Sequence, residues 1–442
     1  MKTTRRHFLI GSLAALNPLT SGRGLRTASA GERIVLGFMG IRGRGYSMAR
    51  GFAQRSDTEI AYLADVDTRL FENRAKGIED ITGKRPKVVQ DFRRMLDDKS
   101  VDAIVMGTPD HWHALGTILA CQAGKDVYVE KPTSHSIWES RKMVDAARKY
   151  QRVVQVGTQN RSAPYVKTAI EYLRSGKLGK VHFIRIVNSK LRPGIGRKPD
   201  SNPPDGVDYD MWLGPAPSRP FNENHFHYTW HWLWEYGGGD ISNDGIHQID
   251  IARWCANVTY PKSVSSTGGI HFYDDDQQTP DTHVVTWDFD GLTMLFEQTL
   301  FTPYMKKTPR FMHDLENFAS WPFSGFRIEI YGTAQKMFIV LHGAGWKVFD
   351  ADYKLVAEDE GPLVDDLHYG NFLDGIRNRA RTAADIEEGH LSTLLCHYGN
   401  VAYRTERKLK IDPKTEGFLN DDEANGYLRR RYRTPWVVPD VV

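Results

Sequence analysis

Three features of the chain predict an α/β protein of two domains, the first built on a parallel sheet. From Arg33 to Gly157, short apolar runs alternate with helical patterns. Those runs are apolar throughout, as strands covered on both faces must be. Beyond Ser162 the strands lengthen and meet at tight turns such as Asp290-Gly291, which indicates hairpins and antiparallel pairing. The 442 residues are ample for a core in each domain.

In order along the chain, "RIVLGFMG" reads as the first strand and "YSMARGFAQR" as the helix after it. "EIAYLAD" is the second strand, followed by a helix from Thr68 to about Ile81. "KVVQ", "DAIVMGT", "DVYVE" and "VVQVG" continue the strands, with helical segments between them. This βαβ rhythm places helices on both faces of one sheet. In the second domain a helix, "YVKTAIEYLRSG", leads to the strand "VHFIRIVNS". A Pro/Gly-rich loop then runs from Arg192 to Pro220, and loops of that length are often functional. "HVVTWDF", "LTMLFEQTLF", "FRIEIYG" and "KMFIVLH" are further strands; helices near Asp365 to Arg379 and Leu391 to Arg407 close the fold. There is no internal repeat or low-complexity tract.

The N-terminus has a separate purpose. Thr4-Arg5-Arg6-His7-Phe8-Leu9 has the form of a twin-arginine export signal, which carries a protein across a membrane already folded. The apolar run Phe8 to Leu16 is too short to span a bilayer, which takes about 20 residues. Ala28-Ser29-Ala30 supplies a small-x-small cleavage site, so the expected mature chain starts at Gly31. The expected organisation is a signal peptide over 1–30, a first domain over 31–157 and a second domain over 158–442. The twin-arginine machinery is then a partner and the periplasm the destination. No later segment is long and apolar enough for a stable membrane anchor.

A net charge of +3 is spread evenly, with no basic block beyond Arg429-Arg430-Arg431, so nucleic acid is not an implied partner. Cys121, Cys255 and Cys396 lie far apart in helical segments and read as buried free thiols. That usage suits a protein folded in a reducing cytoplasm.

The first strand ends in the turn Gly40-Ile41-Arg42-Gly43-Arg44-Gly45. It has glycine at the first and third positions of G-x-G-x-x-G, with Arg42 in the middle one and Gly43 beside it. The turn follows a strand and opens a helix. Asp65 comes 20 residues after Gly45, at the end of the second strand. That context is the dinucleotide-binding one. Glycines let the backbone approach a pyrophosphate, and Asp65 would accept the adenosine ribose hydroxyls. A carboxylate there repels a 2′-phosphate, which favours NAD; Arg42 and Arg44 nearby keep NADP as the alternative. "GTPDHWHA" and "YVEKPTSHS" end the fourth and fifth strands, where open parallel sheets bind ligands. Beside a cationic nicotinamide the ammonium of Lys131 would be disfavoured, which suits proton transfer.

On these motifs, together with "ADVD", "AGKDVYVEKP", "VGTQNRS", "WLGPAP", "GGGDISNDGIHQIDIARW" and "HYGNFLDGIRNR", the chain from about Arg33 onward resembles the Gfo/Idh/MocA family, the glucose–fructose oxidoreductase and inositol dehydrogenase group. The resemblance implies an N-terminal Rossmann domain and a C-terminal α/β domain with an open, mostly antiparallel sheet that forms subunit contacts in a homo-oligomer. It implies bound NAD(P) and a sugar or cyclitol substrate. It places Thr108, Pro109, His113, Glu130, Lys131 and Gln159 around the cofactor, with the turn Gly40 to Gly45 and Asp65.

Asn243, His247, Asp250 and Trp254 recur at i, i+4, i+7 and i+11 and so share one face of a helix. A polar stripe at that spacing is satisfied internally or lines a cavity. The resemblance makes His247 the general base on a substrate hydroxyl, paired with Lys131. Typical members carry aspartate four residues before this histidine. Here the position is Asn243, with Asp244 next to it and Asp250 on the same face, so the catalytic set under consideration is Lys131, His247, Asn243, Asp244 and Asp250.

"HFHYTWHWLWEY", from His225 to Tyr236, is dense in aromatics and histidines. It reads either as core packing beneath a loop or as a wall for stacking a sugar ring. His111, His113, His225, His227 and His231 lack a recognised metal-ligand spacing, and no metal is expected. Together these features suggest an exported oxidoreductase acting on CH–OH groups of a sugar or cyclitol with a tightly bound cofactor. Two rivals stand beside it: a redox-neutral enzyme that cleaves or eliminates through transient oxidation, and a cofactor-bound protein without catalysis.

Overall fold

The computed structural model describes residues 33–307, 323–362 and 365–442. The export signal lies outside them. Six strands form the first sheet: β1 (Ile34–Met39), β2 (Thr58–Ala64), β3 (Lys87–Val89), β4 (Ala103–Met106), β5 (Asp126–Val129) and β6 (Val154–Val156). All pair in parallel, in the order β3-β2-β1-β4-β5-β6. Helices α1 (Arg44–Ala53), α2 (Phe71–Thr82), α3 (Arg93–Asp97), α4 (Asp110–Gln122) and α5 (Ile137–Lys149) connect them. β4 and β5 are buried at every residue, which is why their sequences show no alternation. The strand order reverses between β1 and β4, and a crevice opens at their carboxyl ends.

The second domain starts with α6 (Pro164–Arg174) and β7 (Phe183–Ser189). The long segment that follows holds β8 (Asp200–Ser201), α7 (Tyr209–Leu213), β9 (Phe221–Asn222), two 3-10 turns (Glu223–His225 and Thr229–Trp232) and a π-helical turn (Ile241–Gly245) before α8 (Ile246–Ala256). Next come β10 (Ser263–Gly269), β11 (Thr282–Phe289), β12 (Leu292–Thr299), β13 (Phe326–Tyr331), β14 (Lys336–Val340), β15 (Gly345–Phe349) and β16 (Leu355–Glu360). The chain ends with α9 (Asp365–Asn378), α10 (Ile386–Thr405), β17 (Leu409–Asp412), β18 (Gly417–Phe418) and α11 (Asp422–Asn425). Ten of these strands form one sheet in the order β16-β15-β14-β13-β7-β12-β11-β10-β17-β18. It is antiparallel except where β7 runs parallel to β12. β11 and β12 form the expected hairpin, with Gly291 at φ +68° in its turn.

One face of this sheet is the core. Val285, Trp287 and Phe289 of β11 and Met294 and Phe296 of β12 point at α6, α8 and α10, while the alternate residues are mostly half-exposed. The chain then returns to the first domain. Tyr369 of α9 stacks on Phe52 of α1 with ring centroids 4.3 Å apart, and Phe372 and Leu373 join the same core. Trp436 and Val438 pack on the opposite face of the first sheet. The three cysteines are free, on α4, α8 and α10.

Candidate active site

The crevice at β1 and β4 is a pocket of about 260 Å³. Its floor is the glycine turn. Gly40 sits at φ +79°, a conformation that glycine adopts without a side-chain clash. A Cβ on Gly45 would lie 1.7 Å from the Gly40 carbonyl oxygen, and one on Gly107 would lie 2.6 Å from the Gly45 Cα. These contacts let α1 start directly against β1 and β4. A Cβ on Gly43 would meet nothing within 4 Å, so that side of the turn is open. The first turn of α1 has no side-chain cap and no acidic residue. Its free N–H groups and positive end suit an anion, and a pyrophosphate fits there.

Asp65 lines the pocket at the end of β2. One carboxylate oxygen accepts the Ile41 N–H at 2.8 Å and the other the Asp67 N–H at 3.0 Å. Asp65 therefore also holds the glycine turn in shape. Burial pushes its carboxyl up to about 6. Arg42 is exposed at the rim. Arg44, expected at the cofactor, is engaged by protein carboxylates: its guanidinium donates to Glu130 at 2.8 Å and to Asp365 at 2.9 Å. Gln159 packs its amide against Arg44 and the Gly157 carbonyl. Thr108 and Pro109 line the pocket above β4. His113 is buried beneath, its ring nitrogens 2.7 Å from the Pro132 carbonyl and 3.0 Å from that of Thr108. It braces the turn that carries Lys131.

Lys131 follows β5 and lines the same pocket. Its Nζ donates to the Asn243 carbonyl at 2.5 Å and to the Asn243 Oδ1 at 3.1 Å. Burial lowers its pKa against the pull of Asp244, Glu130 and Asp110. Asn243 lies in one π-helical turn, Ile241–Gly245, and α8 begins only after it. The polar stripe is thus not one α-helical face, and such turns recur at functional sites. His247 is buried, its Nδ1 has no partner among the described residues, and its ring meets that of His342 edge to face at 4.9 Å. Burial, then His342 and Lys131, hold its pKa well below the usual value, so the imidazole is neutral.

The two carboxylates of the set, Asp250 and Asp244, are held in ion pairs. Asp250 is bound by both oxygens to the Arg161 Nε, at 2.8 and 2.9 Å, and accepts from the Ser392 hydroxyl at 2.6 Å. It is a buried ion pair inside the second core and does not touch Lys131. Asp244 meets Lys190 and Arg192 at 2.5 Å each and Lys307 at 2.7 Å. Burial would raise its carboxyl, yet these cations hold it well below the carboxylate range. Asp240 shares Lys190 and Arg192, at 2.6 and 2.8 Å, and is lowered to about 2 against its burial. Lys190, Arg192, Asp240 and Lys307 were not singled out in the sequence. Lys190 and Arg192 do follow the end of β7, and strand-end position, which drew attention to Lys131, could have found them.

The long loop lies over the pocket. Thr68 N–H donates to the Gly206 carbonyl at 3.0 Å, Asp208 N–H to that of Val66 at 2.9 Å, and His227 Nε2 lies 3.2 Å from Asp67. The aromatic segment divides between the two readings given above. Trp212, Phe226, Trp230, Leu233 and Tyr236 belong to a small core, and Trp212, Phe226 and Trp230 also line the pocket together with Tyr228 and His231. His111 is buried with its Nε2 2.9 Å from the Trp212 carbonyl. Among the described residues no three metal-ligating side chains gather at one point.

The sheet order, the glycine turn and the residues around it define an NAD-binding Rossmann domain joined to an α/β domain that closes its crevice. The chain belongs to the Gfo/Idh/MocA oxidoreductase family: the model described as "Oxidoreductase family, NAD-binding Rossmann fold" matches residues 34–158, and "Oxidoreductase family, C-terminal alpha/beta domain" matches 194–290 and 345–438. It is 32% identical over 168 residues to an inositol 2-dehydrogenase of Rubrobacter xylanophilus, covering 37% of this chain and 47% of that one. It is 26% identical over 178 residues to a glycosyl hydrolase family 109 protein of Shewanella pealeana, covering 34% and 38%. The chain spans less than half the length of these two curated relatives. A solved levoglucosan dehydrogenase, in complex with NADH and levoglucosan, superposes with a TM-score of 0.64 at 17% identity, over 86% of this chain and 99% of that one; this likeness is one of fold.

Proposed function

We propose that the protein is an exported NAD-dependent oxidoreductase that oxidises a CH–OH group of a sugar, cyclitol or sugar derivative and keeps its cofactor tightly bound. One observation carries this reading. Lys131 opens onto the pocket that the glycine turn and Asp65 build, and its ammonium is held by Asn243, one turn before a neutral, buried His247. Bound NAD supplies the hydride acceptor. His247 takes the hydroxyl proton, and Lys131 orients the oxygen and shares its charge. Tyr228, exposed in the pocket wall, and the mutually stacked Trp230 and His231 supply aromatic surface for a pyranose. The half-exposed outer face of the ten-stranded sheet supports a homo-oligomeric contact. Export rests on the twin-arginine signal in residues 1–30.

The covering loop favours a second reading. A cofactor closed over by Gly206 to His231 is not readily exchanged, so it must be restored in place. A redox-neutral reaction, in which transient oxidation acidifies a neighbouring C–H and the hydride later returns, does this without a second substrate. The relatives named as glycosyl hydrolases agree with it. Incubation with a panel of sugars and glycosides, with products read by mass, separates the two. Net loss of two hydrogens supports oxidation, and cleavage at constant redox state supports the second reading. No product from any member would overturn both. Replacing Arg5 and Arg6 with lysine and following the protein by cell fractionation tests export.

A further inference from the structure

The Arg429-Arg430-Arg431 run, which the proposed reaction does not use, lines a second pocket. It has a volume of about 220 Å³ and shares no residue with the first. Arg404 of α10 adds a fourth guanidinium. Glu235, the one carboxylate in the wall, is already taken by Arg219. Arg429 is paired with Asp440 at 2.5 Å. Arg404, Arg430 and Arg431 have no carboxylate at ion-pair distance among the described residues. Arg404 instead lies over the rings of Trp234 and Tyr427, at 4.9 and 4.2 Å.

Arg430 is the telling residue. Its Nη2 donates to the Glu235 carbonyl at 2.9 Å, but its Nε and Nη1 are buried with no partner. The hydroxyl of Ser136, a residue 5% exposed in the same wall, also lacks one. The buried carboxylate of Glu139 acts on the Arg430 guanidinium from beyond ion-pair distance, which leaves the Nε and Nη1 N–H groups as unused donors, and charged donors of this kind suit the oxygens of an oxyanion. We infer that this pocket binds a small oxyanion (phosphate, sulfate or carboxylate, free or carried by a sugar) on Arg430 and Ser136, with Arg404 and Arg431 at the rim.

The position gives the site a consequence. His135 to Ile137 follow the turn that carries Lys131, and Gly237 and Gly238 precede the turn that carries Asn243. An anion here braces both segments from behind. It does so whatever reaction they perform, so this inference is independent of the function proposed above.

Thermal unfolding of the mature protein at saturating NAD tests it, titrating sodium phosphate or sulfate against sodium chloride at equal ionic strength. The site predicts a saturable rise in Tm of about 3 °C or more with the oxyanion, lost in Arg430→Gln while the response to NAD persists. Equilibrium dialysis with labelled phosphate, a hexose phosphate and a hexuronate identifies the source. Binding of phosphate marks a free anion, and binding of only the sugar acids marks a group on a sugar. If Arg430→Gln does not fold, Ser136→Ala and Arg431→Gln, each expected to weaken binding several-fold, take its place. No saturable binding of any of these anions, or binding unchanged in the variants, would overturn the inference.

Discussion

Lys131 donates to both oxygens of Asn243, the backbone carbonyl at 2.5 Å and the amide at 3.1 Å. A carboxylate at that position would stabilise the ammonium; a neutral amide does so less. Asn243→Asp should therefore raise the pKa of Lys131 and move the limb of the kcat/KM–pH profile that it controls to higher pH. A limb that stays in place would show that Asn243 does not tune this lysine.

The proton chemistry assigned to Lys131 and His247 predicts two severe variants. Lys131→Ala and His247→Ala should each lower turnover by roughly a hundredfold or more, a usual acid–base contribution. Neither side chain shapes the glycine turn, so nucleotide content after denaturation should be unchanged. Near-normal turnover in both would sink the assignment.

Asp65 combines recognition with support. Asp65→Ser removes the charge that repels a 2′-phosphate, and the ratio of NADP to NAD dissociation constants should fall at least about tenfold. It also removes acceptors from the Ile41 and Asp67 N–H groups, at about 1.5–3 kcal/mol for a charged acceptor. Urea unfolding should register that loss. An unchanged cofactor ratio would mean that Asp65 serves the turn alone.

The Asp240–Asp244 cluster makes an acid-stability prediction with a definite sign. Asp240 is depressed to about 2 in the folded protein, against about 3.9 unfolded. Its contribution is therefore present above about pH 4 and disappears as pH falls toward 2. Asp240→Asn should be less stable than the parent at pH 6, with the difference shrinking below pH 4. Unfolding free energies at a series of pH values would show it, and a gap that stays constant through that window would contradict it.

The first domain was legible because its strands are buried on both faces, so each announces itself as an unbroken apolar run. The second domain yielded only its apolar strands. β10 is Ser-Val-Ser-Ser-Thr-Gly-Gly, and β16 is an exposed edge rich in acids, so neither shows a hydrophobic pattern. The parallel contact of β7 with β12 joins residues more than a hundred positions apart, which no local pattern encodes. In the site, the place of Lys131 at the pocket was readable from its strand-end motif. The π-turn was not, because one extra residue per turn leaves the i, i+4 spacing of Asn243 and His247 unaltered. Nor was the fate of Asp244 and Asp250, whose partners Lys190, Lys307, Arg161 and Ser392 come from distant elements.

The covering loop predicts slow exchange. Asp67→Ala removes the carboxylate that His227 meets and that caps the turn at Thr68 to Leu70. It should speed release of NAD several-fold in a dilution assay while leaving Lys131 and His247 in place. Equal release rates would mean that the loop does not retain the cofactor.

The central claim is that the carbon of a sugar CH–OH group gives hydride to bound NAD while its hydroxyl proton passes to His247, with Lys131 beside the oxygen. Rapid mixing of the NAD-loaded protein with each sugar and glycoside of the panel, following the absorbance of bound nicotinamide, tests it most directly. With the right substrate the reduced form should rise within the first turnover, then persist for net oxidation or decay for the redox-neutral course. His247→Ala should slow that rise about a hundredfold. Product formed while the nicotinamide stays oxidised throughout, or a rise unaffected by loss of His247, would contradict the account.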